Sequence, residues 1–136
     1  MENTRILLAA VAAITLLAAD SRAVLVASDI AAEFRKERKL SRETTIKVDH
    51  VAQAAIPIGT DATAAEETLR KNGFKIQYVR PPSTFLNARP ASGPYQIMGS
   101  RFEQSMAPFQ DEYRIGLTIE NERVISVLGR IFWQNL

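Results

Sequence analysis

Apolar and polar positions fall into three regimes along this chain. The first is a continuous run: residues 6–19 read ILLAAVAAITLLAA, with Thr15 the one polar member. As a helix this run spans ~21 Å, short of the ~30 Å hydrocarbon core of a bilayer. Asp20, Ser21 and Arg22 interrupt it before a second apolar stretch, Ala23–Ala27. Two readings fit. One is a secretory signal, with Arg5 ahead of an apolar core and small residues behind it. Its cleavage site is poorly written, because Ala18–Ala19 lacks a small residue two positions upstream and Ser21-Arg22-Ala23 carries an arginine. The other is an uncleaved anchor helix over 6–27, with its polar triplet near an interface.

The second regime is charged. Residues 28–42 end in RKERKLSR, where Arg35, Lys36, Arg38, Lys39 and Arg42 outnumber Glu37. Glu33 and Glu37 lie three or four residues from these bases, so a solvated helix continuing from the anchor is the simpler reading. The alternative is a basic patch drawn to anionic lipid at ~1 kcal/mol per basic residue. For an uncleaved helix, five basic residues behind it against Arg5 ahead would hold the C-terminal side in the cytoplasm. A cleaved signal would place it outside. The expected location is therefore the membrane or cell envelope, with the side open.

The third regime is periodic. Val48, Val51, Ala52, Ala55 and Ile56 form one helical stripe, with Thr44–Val48 as a rival short strand and Pro57 as the stop. Thr63-Ala-Ala-Glu66 fits a capping box, and Thr60 or Asp61 could cap the same helix one turn earlier. Ala62, Ala65 and Leu69 give it a narrow apolar face; Glu66–Arg70 and Glu67–Lys71 pair on the other side. Asn72-Gly73 ends it, with Phe74 placed to meet Leu69. Phe74, Ile76 and Tyr78 then alternate with Lys75 and Gln77 as a strand ending at Arg80-Pro81-Pro82. An irregular stretch runs to about Tyr95, and residues 95–102 read as a further strand.

The last hairpin predicts its own register. Tyr113, Ile115, Leu117 and Ile119 occupy odd positions, as do Ile125, Val127, Ile131 and Trp133. A two-residue loop would put these rows on opposite faces. A three-residue loop, Asn121-Glu122-Arg123, pairs Ile119 with Ile125, Leu117 with Val127 and Tyr113 with Ile131, and burial selects it.

This order predicts an α+β fold: an N-terminal hydrophobic helix, then one or two helices packed on a three- to four-stranded antiparallel sheet. The expected division is a signal peptide or anchor over 1–27, a basic linker or helix over 28–42 and a small domain over 43–136.

Composition removes several chemistries. Without cysteine there is no disulfide, thiolate zinc site, cysteine nucleophile or lipid-bearing N-terminal cysteine. The net charge of +2 resides in residues 1–42, with seven basic against five acidic side chains; residues 43–136 hold ten of each. A neutral domain is not the pattern of a nucleic-acid binder, so no nucleic acid is expected.

No side-chain set rises to an active site. Asp49-His50 is the one adjacent acid–imidazole pair, yet neighbours on one helix do not face each other. Glu66 and Glu67 are explained by their basic partners. Gly93, Gly99 and Gly116 do not make a phosphate loop ahead of a helix. Phe132 and Trp133 read as one core ring and one edge ring. No catalytic residue, cofactor or metal ligand is therefore expected.

A short helix, Ile58-Gly59-Thr60, a helix with Glu66, Glu67 and Leu69, a strand, and Ile119-Glu120-Asn121-Glu122-Arg123-Val124 together resemble the SmpA/OmlA (BamE-like) family of small envelope domains. The resemblance covers residues 48–80 and 112–128. It implies a helix–helix–three-strand module that supports outer-membrane protein assembly. The chain lacks that family's acylated cysteine, and Asn72-Gly73-Phe74 stands where a glycine–proline often ends the second helix.

The expected function is a non-catalytic, membrane-associated or exported module that binds another cell-envelope protein, with membrane contact through residues 6–27. The alternative is a small hydrolase or ligand-binding domain using the 81–94 loop as a lid. A pocket lined by His50 and two carboxylates would favour that alternative.

Overall fold

A computed structural model describes residues 29–106 and 108–135. The hydrophobic run and the anchor or signal expected over 1–27 lie outside the described residues. Helix α1 spans Ile30–Leu40, strand β1 Thr45–Lys47, helix α2 Asp49–Ala55 and helix α3 Ala62–Lys71. Strands β2 (Lys75–Arg80), β3 (Thr84–Leu86), β4 (Tyr95–Met106), β5 (Phe109–Glu120) and β6 (Arg123–Asn135) follow. All pair antiparallel in one six-stranded sheet of order β1-β6-β5-β4-β2-β3.

The α+β class with an antiparallel sheet holds, but the expected three to four strands are corrected to six, and strand outweighs helix, 46% against 27%. Two additions are three-residue strands, too short to show a period: Thr45–Lys47 pairs with β6, and Thr84–Leu86 folds back on β2 inside the stretch expected to be irregular. The long strands are also longer than their apolar rows, because Arg101, Glu103 and Asp111 interrupt the pattern at inward-facing positions. Helix α1 supplies counter-charges to the two carboxylates: Arg35 reaches Glu103, and Arg38 Nε lies 3.1 Å from Asp111 Oδ1.

Helix α1 is accordingly not a solvated continuation. It buries Ile30, Ala31 and Phe34, and Phe34 is fully enclosed, stacked on Tyr113 with ring centres 5.1 Å apart. The buried side chain of Asn72 ties it to α3, accepting from the Ile30 N–H at 3.0 Å and donating to the Thr68 carbonyl. The core lies between the three helices and one sheet face, where Tyr95, Ile97, Tyr113, Ile115, Leu117, Ile119, Val127 and Ile131 point inward.

Local chemistry sets the helix ends. Asp61 caps α3, its Oδ2 accepting from the N–H groups of Thr63 and Ala64 at 3.1 and 3.2 Å, so the cap is the earlier of the positions weighed. The other end closes with Phe74 N–H on the Leu69 carbonyl and Gly73 N–H on that of Arg70, Gly73 supplying φ +79°.

The final hairpin corrects the three-residue loop. Asn121 and Glu122, at φ +52° and +60°, form a two-residue turn, so Glu120 faces Arg123 and Ile119 faces Val124. Beyond Thr118 the register shifts by one, restoring the expected pairs Leu117–Val127 and Tyr113–Ile131. The extra residue is Ile125, exposed rather than inward, while Val124 is buried in its place. The bulge reconciles a turn that favours two residues with a core that requires the other register.

Pieces of the preceding chain close the outer edge of β6 step by step. Gly59 N–H and Thr60 carbonyl pair with Val124, Gln53 donates to the Val127 carbonyl, Val48 N–H to that of Gly129, and Trp133 N–H to that of Thr44. The crossing at Gly129 is tight: a Cβ there would sit 2.7 Å from the Val48 carbonyl oxygen.

Candidate functional site

Ionisable side chains converge in a groove between α1 and α2, about 480 Å³ in volume and lined by Asp29, Glu33, Glu37, His50, Val51, Ala54 and Ala55. The three carboxylates recur every fourth residue along one side of α1, so they stand in a line at roughly 6 Å intervals. Helix α2 answers with a floor of Val51, Ala54 and Ala55, the small side chains leaving the groove open. His50 Nε2 stands 3.0 Å from Glu37 Oε1.

The adjacent pair singled out in the sequence is thereby divided. Asp49 turns to the sheet, accepting from Gly129 N–H at 2.9 Å and from Arg130. Burial opposes its charge, but the Gly129 N–H and the Arg130 guanidinium outweigh that and hold its carboxyl below the usual carboxylate range. His50 pairs across helices instead. Four-residue spacing of Asp29, Glu33 and Glu37 was visible in the sequence; that His50 would face them depended on how α2 crosses α1.

The groove suits binding cations better than making or breaking bonds. Among the described residues its lining holds an acid–imidazole pair but no serine, threonine, lysine or tyrosine to act as nucleophile. Nor, among the described residues, does its lining hold a Lys or Arg to stabilise a developing oxyanion; Lys36 stands outside it, 2.9 Å from Glu33 Oε1. His50 is 67% exposed, so water screens the pair. Among the described residues no group of three or more His, Asp or Glu side chains has an arrangement able to hold a metal ion.

Two further clusters are structural. Glu66 is buried rather than solvated, receiving the Tyr78 hydroxyl and Arg89 Nη2, the latter at 2.6 Å, with Arg70 at 3.6 Å. Arg89 comes from the 81–94 loop and also bonds Thr63 Oγ1, pinning that loop onto α3. Other residues of the loop, Pro82, Ser83 and Phe85, border a trough on the opposite face of the sheet. The expected lid thus reaches both the far face of the sheet and α3, and none of its residues lines the histidine groove. Phe132 and Trp133 are edge rings: Arg114 stacks on the first and Arg38 on the second, which also meets Phe109 at 4.4 Å between ring centres.

No protein-family model matches the chain, and neither a curated protein nor a solved structure shows significant similarity to it.

Proposed function

We propose that the protein is a non-catalytic binding module of the cell envelope that holds a partner protein in the groove between α1 and α2. The supporting observation is the line of Asp29, Glu33 and Glu37 above a floor of Val51, Ala54 and Ala55. A segment presenting Lys or Arg at helical spacing, with small apolar side chains between them, complements both parts. The apolar run over 6–19 and the likeness to small envelope domains support a membrane-associated or exported setting.

The test is a photo-reactive side chain in place of Ala54 in the full-length protein, irradiated in intact cells. The expected result is one discrete adduct that disappears in Glu33→Lys and returns when a basic residue of the captured partner is reversed in sign. An adduct indifferent to Glu33→Lys overturns the reading.

The His50–Glu37 contact favours the second reading, a ligand-binding or hydrolytic groove. On that reading His50→Ala abolishes turnover or small-molecule binding; on ours it leaves partner capture intact.

A further inference from the structure

Opposite the helices the sheet has no covering layer among the described residues, and its side chains are ordered in rows. Cross-strand pairing puts Lys75 beside Ser100, Ser100 beside Arg114, Arg114 beside Arg130 and Arg130 beside Lys47, four cations in one line across five strands. On one side runs Phe102–Glu112–Phe132 and on the other Met98–Gly116–Leu128. Like charges directly opposed, as in Arg114 and Arg130, destabilise a sheet. Two carboxylates offset part of that cost: buried Glu112 binds Arg114, and Asp49 binds Arg130 and stands 3.5 Å from Lys47. Exposed Lys75 has no ion-pair partner among the described residues, and the row keeps a net positive charge.

Apolar side chains flanking the cationic row are exposed: Phe85 by 68%, Phe102 by 52% and Leu128 by 47%. Two adjoining depressions, about 660 and 200 Å³, share Gln96, Met98 and Arg114. Strands of 12 and 13 residues make this face about 40 Å long.

We propose that this face docks on the surface of an anionic lipid bilayer. The row Lys75, Arg114, Arg130 and Lys47 meets lipid phosphates, and Phe85, Phe102 and Leu128 enter the boundary between headgroups and acyl chains. Charge complementarity carries the assignment: a bilayer offers anions and apolar depth together over the whole face. An apolar run such as residues 6–19 would keep the domain at that surface. The partner groove lies on the other side of the sheet, so both surfaces can be used at once.

The experiment uses full-length protein with Trp133→Phe and a tryptophan reporter introduced by Phe102→Trp, on vesicles of phosphatidylcholine alone or mixed with phosphatidylglycerol, each with brominated acyl chains. The expected result is quenching of the reporter that requires phosphatidylglycerol and fades at high salt. Lys47→Gln and Lys75→Gln should each weaken it roughly fivefold. A reporter moved to Ala54→Trp should stay unquenched. Leu128→Ser, two strands and four residues away from the Phe102 reporter site, should weaken docking while leaving the thermal midpoint unchanged. Equal quenching without phosphatidylglycerol, equal quenching at both reporter sites, or salt-sensitive association without quenching overturns the proposal.

Discussion

Arg35 holds Glu103 at two points, Nε to Oε2 at 2.9 Å and Nη2 to Oε1 at 2.5 Å, and so joins α1 to β4. Arg101 lies 3.2 Å from the same carboxylate, and the Tyr113 hydroxyl donates to it at 3.1 Å. A charged stretch that reads as a solvated face is thereby committed to the sheet.

The hydrogen bonds from Arg35, followed by that from Tyr113, hold the Glu103 carboxyl below its usual range against the opposing effect of burial. A carboxyl with a depressed folded pKa stabilises fully above its unfolded value, ~4.3, and the contribution fades as pH falls through the folded value. Asp49 acts in the same direction; Asp111, raised by burial despite Arg38, acts in the opposite one. Glu103→Gln is expected to cost about 1–2 kcal/mol at neutral pH, reduced by the half-exposed position of Arg35, and to flatten the acid limb of the stability curve. Urea titrations at neutral pH and near pH 4 measure both; an unchanged acid limb contradicts the assignment.

Gly129→Ala places a methyl group 2.7 Å from the Val48 carbonyl oxygen and 3.0 Å from Ala52 Cβ. Backbone must move, and a loss of about 1–3 kcal/mol follows. A thermal scan should show a midpoint lower by several degrees. Gly93→Ala meets no such neighbour, although its φ of +82° adds local strain, and should cost less.

The bulge at Ile125 separates two effects. Deleting Ile125 would remove the bulge and join the two-residue turn directly to the core register, leaving Val124 opposite Ile119, Val127 opposite Leu117 and Ile131 opposite Tyr113; a folded variant that still unfolds cooperatively is expected. Glu122→Gly relieves a left-handed residue at the turn and should add about 0.5–1 kcal/mol. A deletion variant that no longer unfolds cooperatively would show that the bulge itself, rather than the burial of Val127 and Ile131, sustains the register.

The Tyr95 hydroxyl is buried without a hydrogen-bond partner among the described residues. Removing an unsatisfied polar group while keeping the ring is expected to be neutral or to stabilise by up to about 1–3 kcal/mol. Denaturant unfolding of Tyr95→Phe decides it, and a destabilised variant would reveal a partner for the hydroxyl.

The sequence shows most clearly what one helix turn or one strand pair decides. The stripe from Val48 to Ile56, the Leu69–Phe74 closure of α3 and the inward row Tyr113–Ile119 are all periodic, and each packs as its period requires. What escaped was settled by distant partners. Glu66 looks solvated until Tyr78 and Arg89 arrive from elsewhere in the chain, and Asp111 breaks a strand pattern that Arg38 repairs. His50 gains its relation to Glu37 because α1 lies against α2, information that no spacing within either helix holds. The cationic row was equally hidden, since Lys75, Arg114, Arg130 and Lys47 are scattered in sequence and become neighbours through pairing alone.

The stepwise closure of the β6 edge has a consequence for biosynthesis. Thr44, Val48, Gln53, Gly59 and Thr60 all wait for hydrogen-bond acceptors or donors on β6, which is made after every other strand of the sheet. Until the thirteen residues of β6 emerge, β5 lacks a neighbour on one side and the early helices lack part of the surface they cover. Completion of this unit therefore waits for β6, and a nascent chain halted before Arg123 would offer the long strand β5 as an open template for unwanted pairing.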